Sequence, residues 1–301
     1  MAMLEGKAIV ITGSGRGIGA ACAKGVARQG ASVVVNDVDA AFADETVAAI
    51  TATGGTAIAC VADITDWDQA GALIDRCIAA FGKIDGLVNN AALFHRGRLD
   101  QYDPAVARAL VDVNVIGTLN CAARAVKPML AQGAGSIVNL TSNTHMGSPP
   151  YGIYAATKGA VASLVYTWAM ELAGSGVRVN ALSPFGATRM VLASFDDDEE
   201  AKRVHAAFPR PEANSPVVEY LLSDAAAGVN GQMVLIRGQE VYLYAHPALM
   251  LPAVVRSEWT AEALADAFDR EFKGRLVPCG DAGMEHPPVD LKGNWTRAAS
   301  T

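Results

Sequence analysis

The chain has 301 residues, 51% of them hydrophobic and only 18% charged, which is enough apolar material to bury one large core. A formal charge of −7 argues against nucleic acid or an anionic membrane as the main partner. Cys22, Cys60, Cys77, Cys121 and Cys279 fall at no zinc-like or Cys-x-x-Cys spacing, so reduced and mostly buried thiols are expected, with no metal site. The first residues run straight into a strand-like segment, and no apolar run reaches the roughly 18 residues of a spanning helix. Leu243 to Val255, for example, is broken by His246, Pro247 and Pro252. The expectation is a soluble, cytoplasmic protein.

Lys7 to Thr12 is a short β-branched run that reads as a buried strand. It leads into the turn Gly13, Ser14, Gly15, Arg16, Gly17, Ile18, Gly19 and then into a small-residue helix, Ala20 to Gln29. Such a turn lets backbone approach a pyrophosphate closely and aims helix N-terminal N–H groups at its charge. The second strand, Ser32 to Asn36, ends at Asp37 and Val38, about 20 residues on. A carboxylate there can accept from both adenine-ribose hydroxyls and repels a 2′-phosphate, so NAD is expected over NADP. A turn or helix-cap role is the alternative for Asp37.

Alternation of strands and helices continues, the pattern of an α/β, doubly wound parallel sheet. Thr56 to Val61 is a third strand with Asp63 and Ile64 after it, and Asp66 to Phe81 has apolar residues at helix spacing. The fourth strand, from Leu87, ends at Asn89, Asn90, Ala91 and Ala92. Loops at strand carboxyl ends bind ligands in such sheets, which brings Phe94, His95 and Arg96 near the site. Pro104 to Ala131 reads as one long helix with Asn114 in its apolar middle, and a polar group there needs a partner. A structural hydrogen bond and a site role are both open for it.

Gly135 to Leu140 is a fifth strand, followed by Thr141, Ser142 and a Pro-containing loop that delivers the chain to Tyr154. Tyr154 and Lys158 stand four positions apart at the start of the helix-favouring run Ala155 to Leu172, and so share one helix face. An ammonium beside a phenol favours the phenolate, which would make Tyr154 an acid/base near neutrality. Val177 to Leu182 is a sixth strand, ending in Ser183, Pro184, Phe185, Gly186, Ala187 and Thr188, and Gln232 to Ile236 is a seventh.

Together these residues resemble the short-chain dehydrogenase/reductase family over roughly Leu4 to Gly238. Thr12 to Gly19 is similar to its Thr-Gly-x-x-x-Gly-x-Gly turn, Asn89-Asn90-Ala91 to its Asn-Asn-Ala signature, and Asn114, Ser142, Tyr154 and Lys158 to its catalytic four. The resemblance implies a Rossmann-type, three-layer αβα single domain that transfers hydride between NAD and a secondary alcohol or ketone. Tyr154 would exchange the proton, Ser142 would hold the substrate oxygen, and Lys158 would hold the nicotinamide ribose and favour the Tyr154 phenolate. Asn114 would position a water linking Lys158 to solvent. Asp63 and Ile64 would contact adenine, Asn90 and Ala91 the adjacent ribose and phosphates, and Pro184, Gly186 and Thr188 the nicotinamide amide and diphosphate.

Two positions depart from the family pattern: Ala92 replaces a glycine, and Phe185 separates Pro184 from Gly186. The largest departure is the ending, where residues 239–301 extend past the catalytic domain, residues 1–238. Trp259 to Arg275 reads as an amphipathic helix that packs on the core or on a neighbouring subunit, while Glu285 to Thr301 reads as irregular, either a swapped arm or a frayed end. Phe94, His145, Met146, Tyr151, Phe185, Met190, Val191, Leu192 and Phe195 suggest an apolar, aromatic-tolerant pocket for a hydrophobic secondary alcohol or ketone, His95 and His145 serving at most as rim residues. Asp196 to Glu200 reads as a solvated helix start, and His205, His246 and His286 have no companions at metal-ligand spacing. A (3R)-hydroxyacyl-CoA or hydroxysteroid dehydrogenase is the narrower alternative, with Arg96, Arg98, Lys202 and Arg203 available to CoA phosphates. A non-catalytic dinucleotide sensor is the alternative from another class. The family resemblance also implies a homo-oligomer, tetramer or dimer.

Overall fold

The structure, a computed structural model, describes residues 2–188, 199, 202–203, 206 and 208–276. Met190, Val191, Leu192, Phe195, Asp196 to Asp198, Glu200, His205, Cys279, and the span Glu285 to Thr301 lie outside the described residues.

In chain order the main unit comprises β1 (Ala8–Ile11), α1 (Gly17–Arg28), β2 (Ser32–Asp37), α2 (Ala40–Thr51), β3 (Thr56–Val61), α3 (Trp67–Phe81) and β4 (Gly86–Asn89). These are followed by α4 (Pro104–Val111), α5 (Thr118–Gln132), β5 (Gly135–Leu140), α6 (Gly152–Glu171), β6 (Val177–Ser183), α7 (Ser215–Leu222), β7 (Met233–Arg237) and β8 (Glu240–Leu243). The eight strands form one sheet in the order β3-β2-β1-β4-β5-β6-β7-β8. Every pairing is parallel except β7 with β8. The order reverses at β1, so β1 and β4 flank the switch point where such sheets bind ligands.

Strand side chains alternate between faces, and each face has its own core. Ile9 and Ile11 of β1 join Cys22 and Val26 of α1 and Val218 and Leu221 of α7 on one side. Ala8 and Val10 join Leu73 and Ile74 of α3 and Cys121, Ala125 and Met129 of α5 on the other. This two-sided burial is what makes β1 and β2 near-continuous apolar runs. Asp39, Asp66 and Asp103 cap α2, α3 and α4 by accepting from backbone N–H groups of the first turn. Arg16, at the start of α1, makes no side-chain cap hydrogen bond.

The long helix expected over Pro104 to Ala131 is interrupted. Asp112–Gly117 is a π-helical turn between α4 and α5, and Asn114 sits inside it. The wider turn accommodates a polar side chain that turns out of the helix toward partners, a common placement for π-turns at functional sites. By length and composition alone Pro104–Gln132 is apolar enough to cross a bilayer, but Cys121, Ala125 and Met129 pack it into the α3 side of the core.

The sheet unit extends through Tyr244, and the following segment is compact by itself. In that second unit Thr260 caps α8 (Ala261–Ala267) by accepting from the Ala263 amide. The expected helix from Trp259 to Arg275 is α-helical only over α8, with a π turn at Phe268–Phe272 and a 3-10 turn at Lys273–Arg275. Arg270 pairs with Asp266 at 2.7 Å, and Arg256 pairs with Glu271.

Candidate active site

The site forms at the carboxyl ends of β1, β2, β4, β5 and β6. Gly13 (φ +58°) lies against Ala91, so close that an added Cβ would sit 2.7 Å from the Ala91 Cα. The φ and the contact both call for glycine. Asn90 fastens this turn, its Nδ2 donating to the Thr12 and Gly13 carbonyls at 2.8 and 2.9 Å, while the Thr12 hydroxyl oxygen accepts from the amides of Asn90 and Ala91. Asp37 is buried, with Oδ2 accepting from the Gly15 amide and Oδ1 from the Asp39 amide, both at 3.2 Å. Arg16 stacks over the Phe42 ring at 4.3 Å. Thr188 stands across from Gly17: a Cβ built there would lie 3.9 Å from Thr188 Cγ2.

Three of the expected cofactor residues face the scaffold. The Ser14 hydroxyl donates to the Ile11 carbonyl at 2.7 Å and accepts from the Asn36 amide. Ile18 packs against the α1 side of the core, and Ile64 is buried among Ala62, Ala70 and Leu73. The Ser14 and Ile64 side chains are buried in the scaffold, while Ile18 keeps part of its surface open. Asp63 and Val38 are exposed at the carboxyl ends of β3 and β2. Ala92 is partly buried in the loop that follows β4.

At the other end, Tyr154 lies in the first turn of α6 with its phenol beside Ser142. Thr144 contacts the Ser142 hydroxyl oxygen twice, through its amide at 3.3 Å and its own hydroxyl at 3.0 Å. A serine oxygen has two acceptor sites, so Thr144 fills both and leaves Ser142 a donor, its hydroxyl reaching Asn143 Oδ1 at 3.5 Å. Sequence reasoning passed over Thr144, although a threonine two places after a serine at a strand end signals such a local turn. Lys158, one turn beyond Tyr154 and buried, donates to the Leu140 carbonyl at 2.7 Å, with its nitrogen 5.8 Å from the Tyr154 ring centre.

In the protein by itself the phenol is held in its protonated form. Burial pushes the Tyr154 phenol up to about 12, and the Ser142 hydrogen bond offsets this only in part. The same loss of water pulls Lys158 down to about 8. Burial dominates at both groups, and the ammonium is bonded to the Leu140 carbonyl.

The Asn114 side chain is held by protein partners. Its Nδ2 donates to the Leu93 carbonyl and the Thr157 hydroxyl, both at 3.0 Å, and its Oδ1 accepts from the Leu93 amide at 2.7 Å. Both amide protons therefore tie the loop after β4 to α6, beside Lys158. The same loop is zipped to the chain ahead of α6 by the Gly97 amide on the Pro150 carbonyl. Phe94 consequently meets Tyr154 edge-on at 4.7 Å and Tyr151 at 5.4 Å. His95, in this loop, is partly buried.

The loop after β6 shows how Phe185 fits between Pro184 and Gly186. Asn214, fully buried, accepts from the Phe185 amide and donates to the Phe185 carbonyl, each at 3.0 Å. The Phe185 ring stacks on Phe208 at 4.3 Å. Asn214 gives no sequence signal of its own, because its partner is backbone 29 residues away.

A dinucleotide fits these residues. The uncapped start of α1, the close Gly13–Ala91 approach and the buried Asp37 carboxylate supply backbone donors and a ribose acceptor in the spacing such a ligand needs.

Residues 13–238 match a family model described as enoyl-(acyl carrier protein) reductase. A solved short-chain dehydrogenase from Mycobacterium avium superposes with TM-score 0.80 at 29% identity, covering 92% of this chain and 98% of its own. A gluconate 5-dehydrogenase from Burkholderia cenocepacia J2315, solved with NADP and tartrate, is 34% identical with TM-score 0.72 over 78% of this chain and 95% of its own. A 7α-hydroxysteroid dehydrogenase, solved with NADH and 7-oxoglycochenodeoxycholic acid, is 32% identical with TM-score 0.72 over 79% and 95%. With the motifs, the strand order and these matches in agreement, the chain belongs to the short-chain dehydrogenase/reductase family.

Proposed function

We propose that the protein is an NAD-dependent oxidoreductase that interconverts a hydrophobic secondary alcohol and its ketone, with Tyr154 as the acid/base. The observation that carries this reading is the Ser142–Tyr154 pair: Thr144 contacts the Ser142 oxygen twice and the Ser142 proton meets Asn143 Oδ1 only at a long 3.5 Å, so both hydroxyls can turn to one substrate oxygen. In ketone reduction Tyr154 donates its proton to that oxygen while Ser142 stabilises the growing negative charge. In oxidation the roles reverse, and Lys158, whose value near 8 lies close to neutrality, is the adjacent group able to exchange protons with the Tyr154 region. NAD, when bound, supplies or accepts the hydride, and the protein's part is placement and proton handling.

Asp37 supports NAD, since a carboxylate at the end of β2 opposes a 2′-phosphate. The aromatic surroundings of Tyr154, built from Phe94 and Tyr151, support an apolar substrate. The test is absorbance at the NADH band with purified protein, NAD and a panel of aromatic, steroidal and hydroxyacyl secondary alcohols, NADP being run in parallel. NADH formation with an apolar class is the expected result. Turnover confined to polyols, or NADP used in preference, would overturn the substrate or the cofactor half of the reading.

A further inference from the structure

The β7–β8 hairpin begins where the family match ends, and it carries one residue into the site. Gly238 (φ +60°) and Gln239 form its two-residue turn, since Arg237 pairs with Glu240 and Val234 with Leu243. The register continues one step further, with the Tyr244 amide donating to the Met233 carbonyl at 3.0 Å. Tyr244 packs on the cluster of Ala162 and Val165 from α6 with Ala181 and Met233, and Ala162 lies four residues beyond Lys158 on that helix. It is therefore on the α6 side of the sheet, the side that holds Tyr154.

Two of its contacts reach the site loops. The Tyr244 hydroxyl donates to Ser183 Oγ at 3.0 Å, immediately before the Pro184–Thr188 loop. The Tyr244 ring lies 5.2 Å from that of His145. His145 in turn hydrogen-bonds the Ser142 carbonyl through Nδ1. A carbonyl only accepts, so Nδ1 carries the proton and the imidazole orientation is fixed.

We propose that Tyr244 is a specificity-determining positioning residue: it ties the Ser142 turn to the end of β6 and thereby sets the width of the substrate end of the site. This rests on the alcohol/ketone reading above. An edge residue that merely completed the sheet would need neither the hydroxyl contact to Ser183 nor the ring contact to His145.

The experiment compares wild type with Tyr244→Phe and Tyr244→Ala, each as the full-length, NAD-loaded protein. Amide hydrogen exchange is read at Thr144, His145 and Gly147, and KM and kcat are read for a single-ring alcohol and a hydroxysteroid. Tyr244→Ala is expected to speed exchange in the Ser142 turn while Thr12 and Val88 keep their rates. It is also expected to shift the ratio of kcat/KM values toward the hydroxysteroid by about tenfold, mainly through KM, with the NAD Kd unchanged. Tyr244→Phe, which keeps the ring contact to His145 but loses the Ser183 hydrogen bond, is expected to fall between wild type and Tyr244→Ala in both readouts.

Unchanged exchange in the Ser142 turn would overturn the bracing contact. Faster exchange with an unchanged substrate ratio would overturn the specificity role, leaving a packing residue. A wild-type protein that binds NAD but turns over neither alcohol, whatever its exchange rates, would overturn the alcohol/ketone reading and this inference with it.

Discussion

The ammonium of Lys158 is held 2.7 Å from the carbonyl of Leu140, at the end of β5, and so is anchored to the sheet beneath Tyr154. Burial pulls its pKa down to about 8, and the phenol above it is pushed up to about 12. The ligand-free site is thus set for proton donation at neutral pH. Alcohol oxidation is expected to rise with pH through the region near 8, where Lys158 loses its proton, and ketone reduction to fall there. Lys158→Met should abolish that inflection. Profiles of kcat/KM in both directions check this, and an inflection near 8 that survives in the variant would assign it elsewhere.

The same shift has a consequence for stability. In the unfolded chain Lys158 keeps its proton up to about 10.4, whereas in the folded protein it releases it near 8. Between those values the unfolded state binds more protons, so this group makes the protein more stable as pH rises. Cys22, Cys77 and Cys121 act oppositely above about 9, since burial pushes each thiol up to about 12. The difference between wild type and Lys158→Met cancels the thiols. Urea midpoints at pH 7.5 and 9 are therefore expected to rise more for wild type than for the variant.

Tyr154→Phe keeps the ring against Phe94 and removes only the hydroxyl. We expect NAD affinity to be retained and kcat to fall by roughly 10² to 10⁴, the usual worth of a positioned acid/base. Calorimetry and initial rates measure the two halves separately, and an unchanged kcat would remove Tyr154 from the proton transfer.

Much of this arrangement was legible because it depends on local rules. The strands Thr56–Val61 and Gly135–Leu140 read directly from β-branched and apolar runs bounded by turn residues. The Gly13 to Gly19 turn read from backbone demands that few other residues meet, and Tyr154 and Lys158 from helix spacing. What was not legible depends on partners distant in sequence. Asn114 looked like a residue in a regular helix, but its hydrogen bonds to Leu93 and Thr157 accompany a π turn. The burial of Tyr154 and Lys158 was not legible either, because spacing gives proximity and says nothing of solvent access. Tyr244 was passed over because β8 is short, exposed and beyond the recognisable motifs.

Asp37 accepts from Gly15 and from Asp39 with one carboxylate, so it shapes the turn as well as opposing a 2′-phosphate. Asp37→Ala is expected to weaken NAD by about tenfold, equivalent to ~1.4 kcal/mol, and to narrow its advantage over NADP. Titration with both cofactors checks this. A preference for NAD that survives intact would mean that another group reads the ribose.

Asn214 closes both backbone groups of Phe185 inside the protein, which makes it a sensitive point far from the chemistry. Asn214→Leu has similar volume but leaves the Phe185 N–H and C=O without those partners, a loss of roughly 1–3 kcal/mol per buried group. Among the described residues, the Phe185–Phe208 stack and the 3.0 Å bond of the Ala187 amide to the Pro209 carbonyl would still hold the loop. We therefore expect a lower urea midpoint together with a weaker NAD Kd, while the inflection near pH 8 stays where it is because Lys158 and Leu140 are untouched. A lower midpoint with unaltered NAD binding would show that the Pro184–Thr188 loop keeps its shape without Asn214.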